Sequence, residues 1–179
     1  MKQLFLNVND GSIQTIETVA PIAKDNHVIV ETVFSAVSAG TERSLTSFGE
    51  KSLLKKALAR PDQLKTFLEK MSTDGFLTTL DAAFNRLNDP LPMGYSGVGK
   101  IIQIGRNVPG FQVGDYVAMA GQAYHSELNR VNKNLIAKIP KEVENLKPFA
   151  FNALGGIALQ GIHQAQVIPG ETVAVIGLG

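Results

Sequence analysis

Residues 97–120 read GVGKIIQIGRNVPGFQVGDYVAMA, and this stretch decides the fold. Val98, Ile101, Ile102 and Ile104 mark residues 97–105 as an extended segment rich in β-branched side chains. Asn107-Val108-Pro109-Gly110 is a turn signal, and Val113-Gly114-Asp115 leads into a second strand, Tyr116–Ala120. Working outward, residues 126–131 and 135–139 continue the series of short strands. On the other side, residues 27–38 form a major strand dominated by Val, Ile, Thr and Phe. Residues 2–7 and 13–18 are two further strands, joined by Asn9-Asp10-Gly11, residue types that tolerate the positive φ of a tight hairpin. Short strands at regular spacing predict a barrel or sandwich rather than alternating βαβ units.

Residues 49–89 break that rhythm. Leu53, Leu54, Ala57 and Leu58 fall at helical spacing, as do Leu64, Phe67, Leu68 and Met71, and then Phe76, Leu77, Leu80, Phe84 and Leu87. Pro61 suits a first helical turn, Asp74 a cap, and Pro90 and Pro92 a stop, so three short helices are expected. The last third is helical in composition over residues 145–166, with a break expected at Gly155-Gly156. Residues 172–176, Thr-Val-Ala-Val-Ile, then read as a strand of the type buried on both faces.

Composition bounds the function. Among 179 residues, 44% are hydrophobic and 18% charged, enough apolar surface to offset chain entropy. A net charge of +1 argues against a nucleic-acid binder. No apolar run reaches membrane-spanning length, and no membrane partner is expected. With no cysteine, disulfides and thiolate metal sites are excluded, which fits a cytoplasmic protein.

The sequence PGETVAVIGLG, residues 169–179, places Gly-x-Gly directly after the last strand. Gly177 and Gly179 are candidate cofactor-binding residues, because such glycines let a pyrophosphate approach a following helix N-terminus. An ordinary strand-end turn would read the same way. Taken in order, Gly105, Val108, Phe111, Val113-Gly114-Asp115 and Val117 resemble the conserved turn of the GroES-like domain in medium-chain dehydrogenases/reductases. Residues 169–179 resemble that family's entry into its Rossmann domain. More narrowly, Ser38-Ala39-Gly40-Thr41-Glu42-Arg43, the insert, Pro92-Met93-Gly94-Tyr95-Ser96 and Ala158-Leu159-Gln160-Gly161 are similar to the amino-terminal part of bacterial bi-domain oxidoreductases, often assigned to polysaccharide biosynthesis.

The resemblance also marks a loss. Zinc alcohol dehydrogenases read Cys-Gly-Ser/Thr-Asp where this chain has Ala39-Gly40-Thr41-Glu42, and Gly-His-Glu where it has Gly94-Tyr95-Ser96. A methyl group and a phenol replace two zinc ligands, and catalytic zinc needs three protein donors. The implied chemistry is metal-free reduction with hydride from NAD or NADP in its reduced form. Tyr95 is the candidate proton donor, or else an aromatic filler of the space zinc would occupy. Thr41 matches the hydroxyl that relays a proton in the zinc enzymes, or caps a turn. Glu42 is a candidate general base or cofactor contact, or the partner of a neighbouring cation such as Arg43. Ser96 reads as a small residue beside Gly97. His27, His125 and His163 match no local ligand motif and read as structural. Residues 48–72 carry six basic against three acidic side chains, a solvated helical face or a face that steers an anionic sugar.

The expected fold is mainly β with helices (α+β): a GroES-like barrel at residues 1–170 with a helical insert at about 49–89. Residues 171–179 would be the first strand and glycine turn of a dinucleotide-binding domain cut short. The expected function is the substrate-binding and catalytic domain of a zinc-independent, NAD(P)-dependent oxidoreductase acting on a small molecule, a sugar derivative among the candidates. The alternatives are a non-catalytic carbohydrate-recognition or interaction module, and a binder of anionic polymers. By itself the chain is expected to bind neither NAD(P) nor zinc and to be inactive.

Overall fold

The computed structural model describes residues 1–7, 10–40, 42 and 90–176. The expected helical insert at 49–89 lies outside the described residues, as do Thr41, Gly177 and Gly179. Eight strands are described: β1 (Lys2–Leu6), β2 (Ile13–Glu17), β3 (His27–Ser35), β4 (Leu91–Pro92), β5 (Ser96–Ile104), β6 (Tyr116–Ala120), β7 (Leu128–Asn132) and β8 (Ile136–Lys138). A 3-10 turn, Lys147–Phe151, runs into helix α1, Asn152–Gln164. The chain divides into two compact units. One comprises Met1–Gln3, Glu17–Val37 and Gly94–Gly179; the other comprises Leu4–Ile16 and Ser38–Met93.

The larger unit is built on a five-stranded antiparallel sheet of order β7-β3-β5-β6-β8. Successive residues of a strand point to opposite faces, and both faces are used. Val28, Val30, Ile101, Val117, Met119 and Val131 close one core, capped by Val108 from the turn. Val98 and Ala118 face the other way, onto Ala36, Ile139 and Ala150, with Leu146 and Phe149 packed against them. The β3–β5 register shifts between Ile29 and Val30 and again between Thr32 and Phe34. Such bulges bend a strand and increase its twist, which curls the sheet.

Two glycines are dictated by close backbone approaches, one between β3 and β5 and one between the segments just outside them. A Cβ on Gly99 would stand 2.2 Å from the Glu31 carbonyl oxygen and 2.6 Å from Val30 Cγ1. A Cβ on Gly105 would stand 1.9 Å from the Lys24 carbonyl oxygen. The turn between β5 and β6 is pinned by Asp115, whose side chain is buried. Its Oδ2 accepts from Gln112 N at 2.9 Å and lies 2.7 Å from Lys138 Nζ on β8. Gly114, at φ +96°, makes the turn possible.

In the smaller unit, β1 pairs antiparallel with β4, Phe5 opposite Pro92 and Leu6 opposite Leu91. The Pro-flanked β4 was expected to be only a helix stop. As an edge strand it can carry a proline, which donates no ladder hydrogen bond.

Other expectations need correction. Helix α1 runs unbroken through Gly155-Gly156, because two glycines cost a helix stability without forbidding it. Residues 172–176 form no strand, and Val173, Val175 and Ile176 are exposed. A strand of this apolar type needs neighbours on both sides, and none pairs with it among the described residues. Strand β3 stops at Ser35 rather than residue 38, and β7 starts at Leu128, Ser126 making only an isolated bridge to Gln3. Among the described residues, no helix is long and apolar enough to cross a membrane.

Two glycine substitutions should move stability in opposite directions. Gly99→Ala should cost about 1–3 kcal/mol through overlap with β3. Gly156→Ala, in open space on α1, should add about 0.5–1 kcal/mol. Urea denaturation of each variant measures both. Asp115 supplies a pH signature. Burial raises its pKa, but the hydrogen bond from Lys138, the Gln112 N–H and the Lys138 charge outweigh this and hold it below the ordinary 3.8. A carboxyl held low contributes stability above its unfolded value, lost as pH falls through the folded one. Asp115→Asn should therefore lower stability at neutral pH and flatten its decline in acid, measured by thermal melts across the range.

Candidate active site

Gly94-Tyr95-Ser96 enters β5 under three consecutive restraints, all within the larger unit. Gly94 adopts φ +92°, and a Cβ there would stand 2.6 Å from His125 N and 3.0 Å from the His125 ring. Only glycine satisfies both the conformation and the space. The Tyr95 carbonyl accepts from Gly121 N at 2.7 Å. Ser96 is fully buried, and its hydroxyl donates to the Ala150 carbonyl at 2.6 Å and accepts from Ala153 N at 3.2 Å. Ser96 is therefore an anchor between β5 and the start of α1, not merely a small residue beside Gly97.

Polar residues around this turn lock the neighbouring segments. Asn152 Nδ2 lies 3.0 Å from Gly97 O, 2.9 Å from Met119 O and 2.9 Å from Phe149 O, so one amide joins β5, β6 and the 3-10 turn. Asn129, 1% exposed, donates to Thr32 Oγ1 and the Tyr124 carbonyl, and accepts from Tyr124 N. His125 Nδ1 lies 2.8 Å from Ser35 Oγ. These are buried polar groups with partners in place, the condition under which such groups specify structure rather than destabilise it.

Tyr95 itself is half-buried. Among the described residues, nothing hydrogen-bonds to its hydroxyl. Its main chain is fixed and its phenol is left with hydrogen-bonding capacity. Glu42 belongs to the other unit. Its backbone N–H donates to Ser38 O at 2.9 Å, and its Oε1 accepts from Ser38 N at 3.3 Å, an arrangement resembling a capping box. Ala39 offers no side-chain donor atom to a metal ion.

The three histidines sit on separate elements. His27, in β3, bonds the Asp25 carbonyl at 2.7 Å through Nδ1; His125 is buried against Ser35; His163 is exposed in the last turn of α1. Among the described residues, no group of three His, Cys, Asp or Glu side chains could hold a metal ion. The sequence reading missed Asn129 and Asn152; Asn152 carries a local signal, an amide within the apolar run Phe149–Leu154, and Asn129, between Leu128 and Arg130, carries none.

No family model matches the sequence. One curated relative, acryloyl-coenzyme A reductase from Metallosphaera sedula, is 24% identical over 129 residues, which is 56% of this chain and 39% of that protein. Three solved structures overlay on the chain. A protein described as a zinc-binding dehydrogenase from Clostridium scindens has a TM-score of 0.68 at 19% identity, covering 100% of this chain and 52% of its own. Galactitol-1-phosphate dehydrogenase from Escherichia coli has a TM-score of 0.62 at 16% identity, covering 93% and 45%. Quinone oxidoreductase from Escherichia coli, complexed with NADPH, has a TM-score of 0.58 at 14% identity, covering 93% and 41%. The fold is that of the GroES-like domain of the medium-chain dehydrogenases/reductases. The chain spans about half the length of the solved structures it matches, and less of the curated relative.

The Asn152 amide is the anchor most easily tested. Asn152→Asp sets a carboxylate against three carbonyl oxygens and should cost about 3 kcal/mol at neutral pH. Denaturant unfolding at pH 7 measures the loss.

Proposed function

We propose that the chain is the substrate-binding and catalytic domain of an NAD(P)-dependent oxidoreductase that works without zinc. The observation carrying this reading is Tyr95: three successive residues of its turn are held, while its phenol makes no hydrogen bond among the described residues. An aromatic residue that merely filled space would need no such restraint. The absence of donor atoms at Ala39 supports a metal-free reaction, and NADPH in the quinone oxidoreductase supports the cofactor class.

The chemistry is reduction of a carbonyl or a comparably polarised acceptor. The hydride would come from a nicotinamide cofactor when one is bound. The Tyr95 hydroxyl can donate a hydrogen bond to the substrate oxygen where negative charge develops and then transfer the proton. Thr41 would relay a replacement proton, and Glu42 would serve as a general base or cofactor contact. Gly177 and Gly179 would meet the pyrophosphate. A phosphorylated sugar derivative is the proposed substrate class, supported by the likeness to galactitol-1-phosphate dehydrogenase and to the bi-domain oxidoreductases.

The test is NADPH- or NADH-dependent reduction by the complete oxidoreductase that carries this chain. Tyr95→Phe should lower kcat by roughly 10²–10⁴-fold while the fold is unchanged. Turnover equal to that of the unmodified protein would reduce Tyr95 to a packing residue.

A further inference from the structure

A proton donor must be aimed, and a misplacement of about 1 Å can cost roughly 10²-fold in rate. The imidazole of His125 forms one wall of the Tyr95 turn. A Cβ on Gly94 would lie 3.0 Å from both Cγ and Nδ1 of that ring, so the ring rests against the Gly94 main chain, one residue before Tyr95. Its Nδ1 lies 2.8 Å from Ser35 Oγ, which sets the rotation of the ring. Ser35 ends β3 and stands opposite Gly97, two residues after Tyr95. The contact thus starts just before Tyr95 and ends on the strand paired just beyond it.

Packing alone does not account for this choice of residues. His125 is 9% exposed, and an apolar side chain would fill the same volume without the cost of burying an imidazole. What the polar pair adds is direction, because a hydrogen bond fixes an orientation that van der Waals contact leaves loose. The other restraints on the turn act through the backbone or through Ser96, whose own bonds lead to the α1 side. Among the described residues, the His125–Ser35 pair is a side-chain restraint on the Gly94 side.

We infer that His125 and Ser35 form a positioning pair that sets the direction of the Tyr95 phenol. Its consequence for turnover rests on the reading of Tyr95 as proton donor; its consequence for the side chain does not. The chain has three tyrosines, so 3-fluorotyrosine labelling gives three fluorine resonances, and the one missing from Tyr95→Phe belongs to Tyr95. Ser35→Ala and His125→Ala should shift or broaden that resonance and leave that of Tyr116 in place. Ser35→Thr, which keeps the hydroxyl, and His125→Asn, whose amide overlays Nδ1, should return it to its original position.

A Tyr95 resonance unmoved by Ser35→Ala and by His125→Ala would overturn the inference. So would a Tyr116 resonance moved equally, which signals general loosening. In the complete oxidoreductase, Ser35→Ala should lower kcat by roughly 10- to 100-fold with KM unchanged, and a raised KM at constant kcat would contradict a positioning role. If Tyr95→Phe keeps full turnover while the fluorine signals behave as expected, the proton-donor reading fails and the positioning pair stands.

Discussion

The closeness of β3 and β5 is the constraint on which the larger unit depends. With a Cβ site on Gly99 only 2.2 Å from the Glu31 carbonyl, the two backbones meet where no other residue fits. That contact sets the register placing Val28, Val30 and Ile101 in one core and Val98 in the other. It also brings the ends of both strands together, Ser35 opposite Gly97, and so builds the frame of the turn that carries Tyr95. The core and the candidate site are two consequences of one pairing.

Around that turn, polar anchors fix the main chain. A catalytic zinc organises its surroundings by drawing several side chains to one point. Here order comes from the hydrogen bonds of Ser96, Asn152, Asn129 and the His125–Ser35 pair. Each satisfies buried main-chain or side-chain groups that would otherwise lack partners. A rigid turn presenting a phenol suits acid catalysis, whose efficiency depends on geometry at the reacting oxygen.

The sequence made the β framework readable because its signals are local. Tyr116–Ala120 is observed as expected, and the other main strands shift by a residue or a few at their ends. Residues 172–176 show the opposite case: their apolar run has strand character, yet a strand forms only against neighbours, and none pairs with it among the described residues. Gly155-Gly156 misled because composition weighs each residue alone, while α1 forms as a unit. Tyr95 was singled out in the sequence through the family motif. Its supports were not: Asn152 reaches Gly97 across 55 residues and His125 reaches Ser35 across 90, distances that no local pattern encodes.

We propose that the Tyr95 phenol, carried on a turn whose main chain the protein's own hydrogen bonds fix, does the work of a metal. It is tested most directly by assaying the protein that carries this sequence for NAD(P)H-dependent reduction before and after exhaustive chelation, with elemental analysis of the same samples. The account predicts that turnover with NAD(P)H is unchanged and that zinc is present only in traces throughout. Loss of activity on chelation, restored by one equivalent of zinc per chain, would contradict it.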